Sequence, residues 1–236
     1  MAEDSEQLWA IVPARGGSKD VPEKNLADVG GASLVCRAIA SALAARAVAR
    51  VVVSTDSEAI REAALACGAE APFTRPAELA RDDTPGIEPI RHALEWFRAS
   101  EGRVPAWVVC LQPTSPFRTG ADVDAAFRIA LDTGADAVIS VARASCHPYW
   151  ARSVDVDGLM RPFLSERESP VRRQDLPDAF MLNGAIYLAR ASVLERGSFY
   201  GERTVAYVMP EERSLDVDSA WDLRVARALA TEEAAS

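Results

Sequence analysis

At 236 residues, with 49% hydrophobic and 26% charged side chains, the chain can bury one sizeable core, as one domain or as one domain with a small insertion. Its net charge of −9 argues against nucleic acid as a bulk partner, although basic residues can still converge locally on an anionic substrate. Cys36, Cys67, Cys110 and Cys146 lie far apart with no C-x-x-C, which excludes a close-set zinc motif and argues against a disulfide framework.

The chain opens on the acidic stretch MAEDSEQ, which lacks the apolar segment of a signal peptide. No apolar run approaches the roughly 20 residues that span a bilayer, so the expectation is a cytoplasmic protein with no membrane partner. Leu8 to Ala14 is a short apolar run of the kind that fills a buried strand of a parallel sheet. It ends at once in Arg15-Gly16-Gly17-Ser18-Lys19. Ser33 to Ala47 predicts a helix, Arg50 to Ser54 a second buried strand, and Ser57 can cap a helix that stops at Gly68. Glu70 to Phe73 is expected as a short third strand. Arg75 to Thr84 is irregular, and for Asp82 and Asp83 a solvated loop is an even alternative to a functional one. Ile87 to Phe97 has helical spacing, and Ala106 to Leu111 is the fourth strand. A helix over Ala121 to Leu131 and a strand over Ala135 to Val141 follow. Cys36, Cys67 and Cys110 fall in apolar surroundings and read as small core residues.

From Arg143 the helical periodicity is lost. Short strands and loops are expected over 143–180, as an excursion from the sheet. Met181 to Ala189 returns as a strand, Val205 to Met209 is one more, and Ser219 to Ala230 closes the chain as a helix. The alternation predicts an α/β fold with a doubly wound, mostly parallel sheet. Residues 1–142 and 181–236 would form the main α/β domain, and 143–180 a small insertion.

Three constellations carry chemistry. The loop after the first strand has glycines that let backbone N–H groups approach a ligand, and cations at Arg15, Lys19 and Lys24 for a polyphosphate. A lone GGSK would be a solvated turn; here A-R-G-G-S-K-(4)-K-N follows a buried strand directly. The spacing is neither a P-loop nor G-x-G-x-x-G. Gln112-Pro113-Thr114-Ser115-Pro116 sits at a strand's carboxyl end, where open α/β sheets bind ligands. In Asp216-Val217-Asp218, an extended backbone turns both carboxylates to one face, which suits Mg2+. The bland alternative is that Asp218 or Ser219 caps the last helix.

Ala14 to Asn25 resembles the nucleotide-binding loop of the acylneuraminate cytidylyltransferases, the CMP-sugar synthetases. The resemblance continues, in the family's order, through Arg75-Pro76-Ala77-Glu78-Leu79-Ala80, Leu111 to Pro116, Arg172-Arg173-Gln174, Asn183-Gly184-Ala185-Ile186-Tyr187 and Ser214 to Asp218. It implies a nucleotide-diphospho-sugar transferase-like fold and transfer of CMP from CTP to the anomeric hydroxyl of a nonulosonic, sialic-type acid. Arg15, Ser18, Lys24, Asn25 and Arg75 would bind CTP, with Arg15, Lys24, Asp216 and Asp218 catalytic and the two aspartates holding Mg2+. Gln112, Arg173, Gln174 and Asn183 would face the acid sugar, and the excursion would pack on a second subunit, making a homodimer with Arg173 acting in trans.

Two departures touch the acid-sugar side. Met181-Leu182 stand where some sialic acid synthetases carry an arginine and a proline, and Trp150 where some carry a lysine after His-Pro. A legionaminate-like or pseudaminate-like sugar, or a phosphonate, is therefore the alternative acceptor. A non-catalytic nucleotide-binding module is the rival from another class. His147 beside Pro148 reads as structural, and no residue declares itself as a general base.

Overall fold

Leu8–Pro13 forms strand β1, and its alternation sets the layering of the molecule. Leu8, Ala10 and Val12 enter one apolar layer and Trp9 and Ile11 the other, so a run without polar positions is buried on both faces. The computed structural model describes residues 7–17, 21–164 and 172–235.

A small hairpin follows, β2 (Asp28–Val29) with β3 (Ala32–Ser33), leading into helix α1 (Leu34–Leu43). Then come β4 (Val48–Ser54), α2 (Glu58–Ala66), α3 (Glu88–Glu101) and β5 (Trp107–Cys110). Helix α4 (Gly120–Thr133) and strand β6 (Ala137–Arg143) complete the first part. A separate two-stranded sheet, β7 (Arg152–Val154) with β8 (Met160–Pro162), occupies the excursion. The chain returns through β9 (Phe180–Arg190), the short helix α5 (Ala191–Glu195), β10 (Thr204–Val208) and α6 (Ala220–Ala235).

The main sheet has the order β10-β6-β9-β5-β1-β4. β1 runs parallel to both β4 and β5, and β10 parallel to β6. β9 is inserted antiparallel between β5 and β6. The sheet is thus mixed but mostly parallel, as expected. One face packs on α1, α2 and α4 through Ile39, Ile60 and Phe127; the other packs on α3 and α5 through Ile90, Leu94 and Leu194. A third apolar cluster seats α6 on the hairpin through Val29, Leu223 and Ala230.

Helix starts follow their caps. Ser33 and Ser57 accept from the N–H groups of Cys36 and Ile60, and Thr119 with Asp122 forms a reciprocal capping box. Two expectations fail. Glu70 to Phe73 is not a strand: only isolated bridges, Val52 with Glu70 and Thr55 with Thr74, join it to the sheet edge. Cys36 and Cys67 are not free core thiols but a disulfide, with Cα atoms 5.8 Å apart across the packed helices α1 and α2. Their sequence separation of 31 gave no hint that the two helices would lie side by side. Cys110 is a buried free thiol, pushed up to about 12 by burial, and Cys146 is exposed.

Candidate active site

The strands β1, β4 and β5 all end at one edge, and the loops leaving them surround a cleft of about 270 Å³. Its walls include Arg15, Lys24, Asn25, Arg75, Gln112, Thr114 and Asp218, residues that the sequence scatters over two hundred positions. This is the carboxyl edge of the parallel strands, where open α/β sheets take ligands.

The first loop is held by its own side chains. Asn25 is buried, and its Nδ2 donates to the Arg15 carbonyl at 2.9 Å, closing the loop on itself. The Gly16 N–H donates to Asp56 Oδ1 at 2.9 Å, and a Cβ there would lie 2.9 Å from the Ser57 Cβ. Gly16 is thus required by close packing on the start of α2. Glu23 adopts a left-handed φ of 49° immediately before Lys24, a conformation that non-glycine residues rarely take outside constrained sites. Ser18, a proposed nucleotide contact, lies outside the described residues.

The cations differ in character. Arg75 is 4% exposed; its Nε donates to Ser54 Oγ at 3.1 Å and its Nη2 to the Ser54 carbonyl. Burial lowers it to about 10, still a cation at neutral pH. Arg15 is half-buried and pairs with Asp82 at 2.5 Å, so Asp82 belongs to the cleft and is not merely a solvated loop residue. Lys24 Nζ lies 3.4 Å from Asp218 Oδ1, joining the phosphate-type loop to the aspartate pair.

The aspartates sit at the junction of two grooves. Asp218 is exposed and lines the cleft; Asp216 lines a neighbouring groove with Met181, Leu182 and Asn183. Between them Val217 is fully buried, its N–H donating to the Thr114 carbonyl at 2.8 Å. Asp216 Oδ1 is buried with no hydrogen-bond partner among the described residues. Burial raises the Asp216 pKa; a hydrogen bond from Thr114 opposes this, and the charge of Asp218 adds to it. Gly184 (φ 70°) makes room for the carboxylate: a Cβ there would lie 2.9 Å from Asp216 Oδ2 and 3.1 Å from Gln112 Oε1. The capping alternative resolves cleanly. Ser219, reciprocated by Asp222, makes the cap of α6, and the Asp218 carboxylate stays outside it.

The expected acid-sugar residues are not brought together equally. Gln112 lines the cleft. Asn183 is 5% exposed and fully engaged: Oδ1 accepts from Ser140 Oγ at 2.6 Å and Nδ2 donates to Ser214 Oγ at 3.0 Å. Its amide holds the segment leading to Asp216 and is not free for a ligand. Gln174 is exposed in a single 3-10 turn, Arg173–Asp175, and does not line the cleft. The side chain of Arg173 lies outside what the structure describes. His147 has both ring nitrogens engaged, Nδ1 by the Tyr149 N–H and Nε2 by the Pro177 carbonyl, which fits a structural role.

Sequence reasoning missed Arg118. This buried guanidinium donates to the carbonyls of Gln112 and Ala185 and to Ser41 Oγ, and so supports the Gln112 loop from beneath. Burial lowers it to about 10. Only its place directly after Pro116-Phe117 could have marked it. Arg213, which grips the buried Asp122, was missed as well.

The cation-lined cleft lies at the carboxyl edge of a mostly parallel sheet, with Asp218 in its wall and Asp216 in the adjoining groove. Similarity to known proteins gives the class: the protein is a nucleotidyltransferase. It belongs to the cytidylyltransferase family, whose model matches residues 9–222. Among its relatives is the CMP-N,N'-diacetyllegionaminic acid synthase of Legionella pneumophila, 35% identical over 92% of this chain and 93% of that protein. The N-acylneuraminate cytidylyltransferase of Escherichia coli is 33% identical over 93% of this chain, which spans only 51% of that protein. The pseudaminic acid cytidylyltransferase of Campylobacter jejuni is 29% identical over 93% of this chain and 94% of its own length. The fold matches that of a CMP:2-keto-3-deoxy-manno-octonic acid synthetase complexed with CTP, with a TM-score of 0.69 over 96% of this chain and 99% of that one, at 21% identity.

Proposed function

We propose that the protein transfers CMP from CTP to the anomeric hydroxyl of a nonulosonic acid. The hydroxyl oxygen forms the new bond to the α-phosphorus and gives up its proton to water, the bond to the β-phosphate oxygen breaks, and pyrophosphate leaves with its electron pair. The observation that carries this reading is the convergence of Arg15, Lys24 and Arg75 on one cleft, with Asp218 in its wall beside Lys24. Arg15 and Lys24 supply positive charge where the triphosphate must lie, and Arg75, fixed by Ser54, is preorganised and costs no reordering on binding. Gln112 stands beside Asp216 and is placed to orient the acceptor.

The aspartate pair fits Mg2+. Asp216 has a buried oxygen without a partner, and Asp218 offers an exposed carboxylate two residues on. Mg2+ commonly keeps several waters and takes one or two carboxylates plus substrate phosphates, so two aspartates are a sufficient protein share of its shell. When bound, the ion neutralises phosphate charge.

For the acceptor, a legionaminic-type acid is favoured over sialic acid. The Legionella relative matches over nearly the whole of both chains, and Met181 and Leu182, both more than half exposed, give this chain an apolar edge without the arginine of some sialic acid synthetases. The excursion supports a homodimer. Val154, Val156, Leu159, Met160 and Phe163 are all at least 58% exposed, an apolar surface that a second copy would cover. Arg173 would then act across the interface.

Pyrophosphate release measured with Mg2+, each nucleoside triphosphate, and a panel of legionaminic, pseudaminic and sialic acids plus phosphonates tests the reading. Release with CTP and a nonulosonic acid, abolished in Asp216→Ala, is expected. Release only with a phosphonate would replace the acceptor. CTP binding with no release across the panel would favour a nucleotide-binding module.

A further inference from the structure

Asp122 makes more contacts than a helix cap requires. It is 1% exposed and in the first turn of α4, where Thr119 N–H and Oγ1 donate to its Oδ2 at 2.9 and 2.7 Å. Three further donors come from the far end of the chain: Tyr207 Oη at 2.8 Å, and Arg213 through Nε at 2.9 Å and Nη2 at 2.8 Å. Arg213 ends the 3-10 turn Glu211–Arg213, three residues ahead of Asp216. Beyond it the chain is tied at Ser214 by Asn183 and at Val217 by Thr114. Asp216 lies between these ties with its buried Oδ1 unpartnered.

We propose that Asp122 and Arg213 are positioning residues of the active site: their bidentate ion pair fixes the turn ahead of Asp216, and so the direction in which Asp216 and Asp218 present their carboxylates to a divalent cation. The inference rests on the reading of those two aspartates as Mg2+ ligands. A planar guanidinium on a carboxylate fixes orientation as well as distance, which a lysine cannot do. The cost of desolvating the two charges largely offsets their attraction, so such a pair is a poor source of stability and a good source of fixed geometry. Groups that orient metal ligands from behind commonly alter metal affinity by about 10- to 100-fold.

Arg213, with a side chain 36% exposed, tolerates replacement better than Asp122, whose loss would also uncap α4. The test compares wild type, Arg213→Gln, Arg213→Lys and Asp216→Ala. Mn2+ is titrated into the nucleotide-free protein and followed by water-proton relaxation; the Mg2+ concentration for half-maximal pyrophosphate release at saturating CTP is measured alongside. Arg213→Gln is expected to weaken Mn2+ binding about tenfold and to raise the Mg2+ requirement in step, with Arg213→Lys recovering only a small part. Arg213→Gln that lowers the thermal midpoint but binds Mn2+ as wild type does would reduce the pair to a structural staple and overturn the proposal. Wild-type Mn2+ affinity in Asp216→Ala, or wild-type pyrophosphate release that needs no divalent cation, would remove the metal reading itself and this inference with it.

Discussion

Arg15 and Asp82 pair at 2.5 Å in the wall of the cleft, so on the proposed reading an incoming triphosphate would share Arg15 with that carboxylate or displace it. Both side chains are about one-third exposed, which limits such a pair to less than about 1 kcal/mol. Asp82→Asn is therefore expected to lower the KM for CTP about threefold with a smaller change in kcat; an unchanged KM would show that the pair does not compete with nucleotide. Gly184 is a sharper case. Its φ of 70° and the 2.9 Å approach of a Cβ to Asp216 Oδ2 both resist a side chain. Gly184→Ala should cost about 1–2 kcal/mol of stability from backbone conformation alone, and should lower kcat at least about tenfold by displacing Asp216. Normal turnover in that variant would sink the functional reading of the contact. At this scale the sequence was legible in which residues gather at the cleft, as with Arg15, Lys24 and Asp218. It misled at Asn183, whose motif suggested a ligand contact but whose amide is spent on Ser140 and Ser214. Nothing local reveals which hydrogen bonds a buried amide will already have made.

Between elements, the Cys36–Cys67 disulfide joins α1 to α2, and both helices pack behind the nucleotide-type loop. Closing a loop of this length stabilises by about 3.7 kcal/mol on the chain-entropy account. Reduction, or the Cys36→Ser/Cys67→Ser variant, should lower the denaturation midpoint accordingly; a midpoint indifferent to reductant would mean the bond contributes nothing. The joint between α4 and β10 gives a pH prediction. Burial favours the neutral acid at Asp122, but hydrogen bonds from Arg213, Thr119 and Tyr207 outweigh it and hold the carboxyl below its usual range. Glu101, held down by Arg50, and Asp222, held down by Ser219, lie in the same direction. A depressed folded pKa contributes stability above the unfolded value of about 4 and loses it as pH falls through the folded value. Urea-unfolding stability should therefore decline below about pH 4, with a shallower slope in Asp122→Asn. An identical slope would show that Asp122 titrates as it does in the unfolded chain. Strands buried on two faces and Ser-capped helices were readable because their signals are local. The Glu70 to Phe73 segment was not, because pairing at a sheet edge depends on a neighbour that the segment does not encode.

For the whole molecule, the apolar surface over 154–163 belongs to a sheet that contributes nothing to the main core. Met160→Asp with Phe163→Asp should convert a dimer into monomers in light scattering, and should lower activity if Arg173 completes the partner's site. A wild-type monomer would remove that part of the reading. Architecture and family followed from sequence alone: the order of apolar runs, the glycine-rich loop after the first strand and the aspartate pair are properties of neighbouring residues. Helix and strand periods and turn chemistry act over a few positions, so they survive being read in one dimension. Only the tertiary structure decided that β9 enters antiparallel, that Cys36 meets Cys67, that Asp82 occupies Arg15, and that Asp122 reaches 91 residues along the chain to grip Arg213. Each of these is a contact between distant segments, set by how apolar faces pack, and packing brings together side chains whose sequence neighbourhoods carry no record of one another.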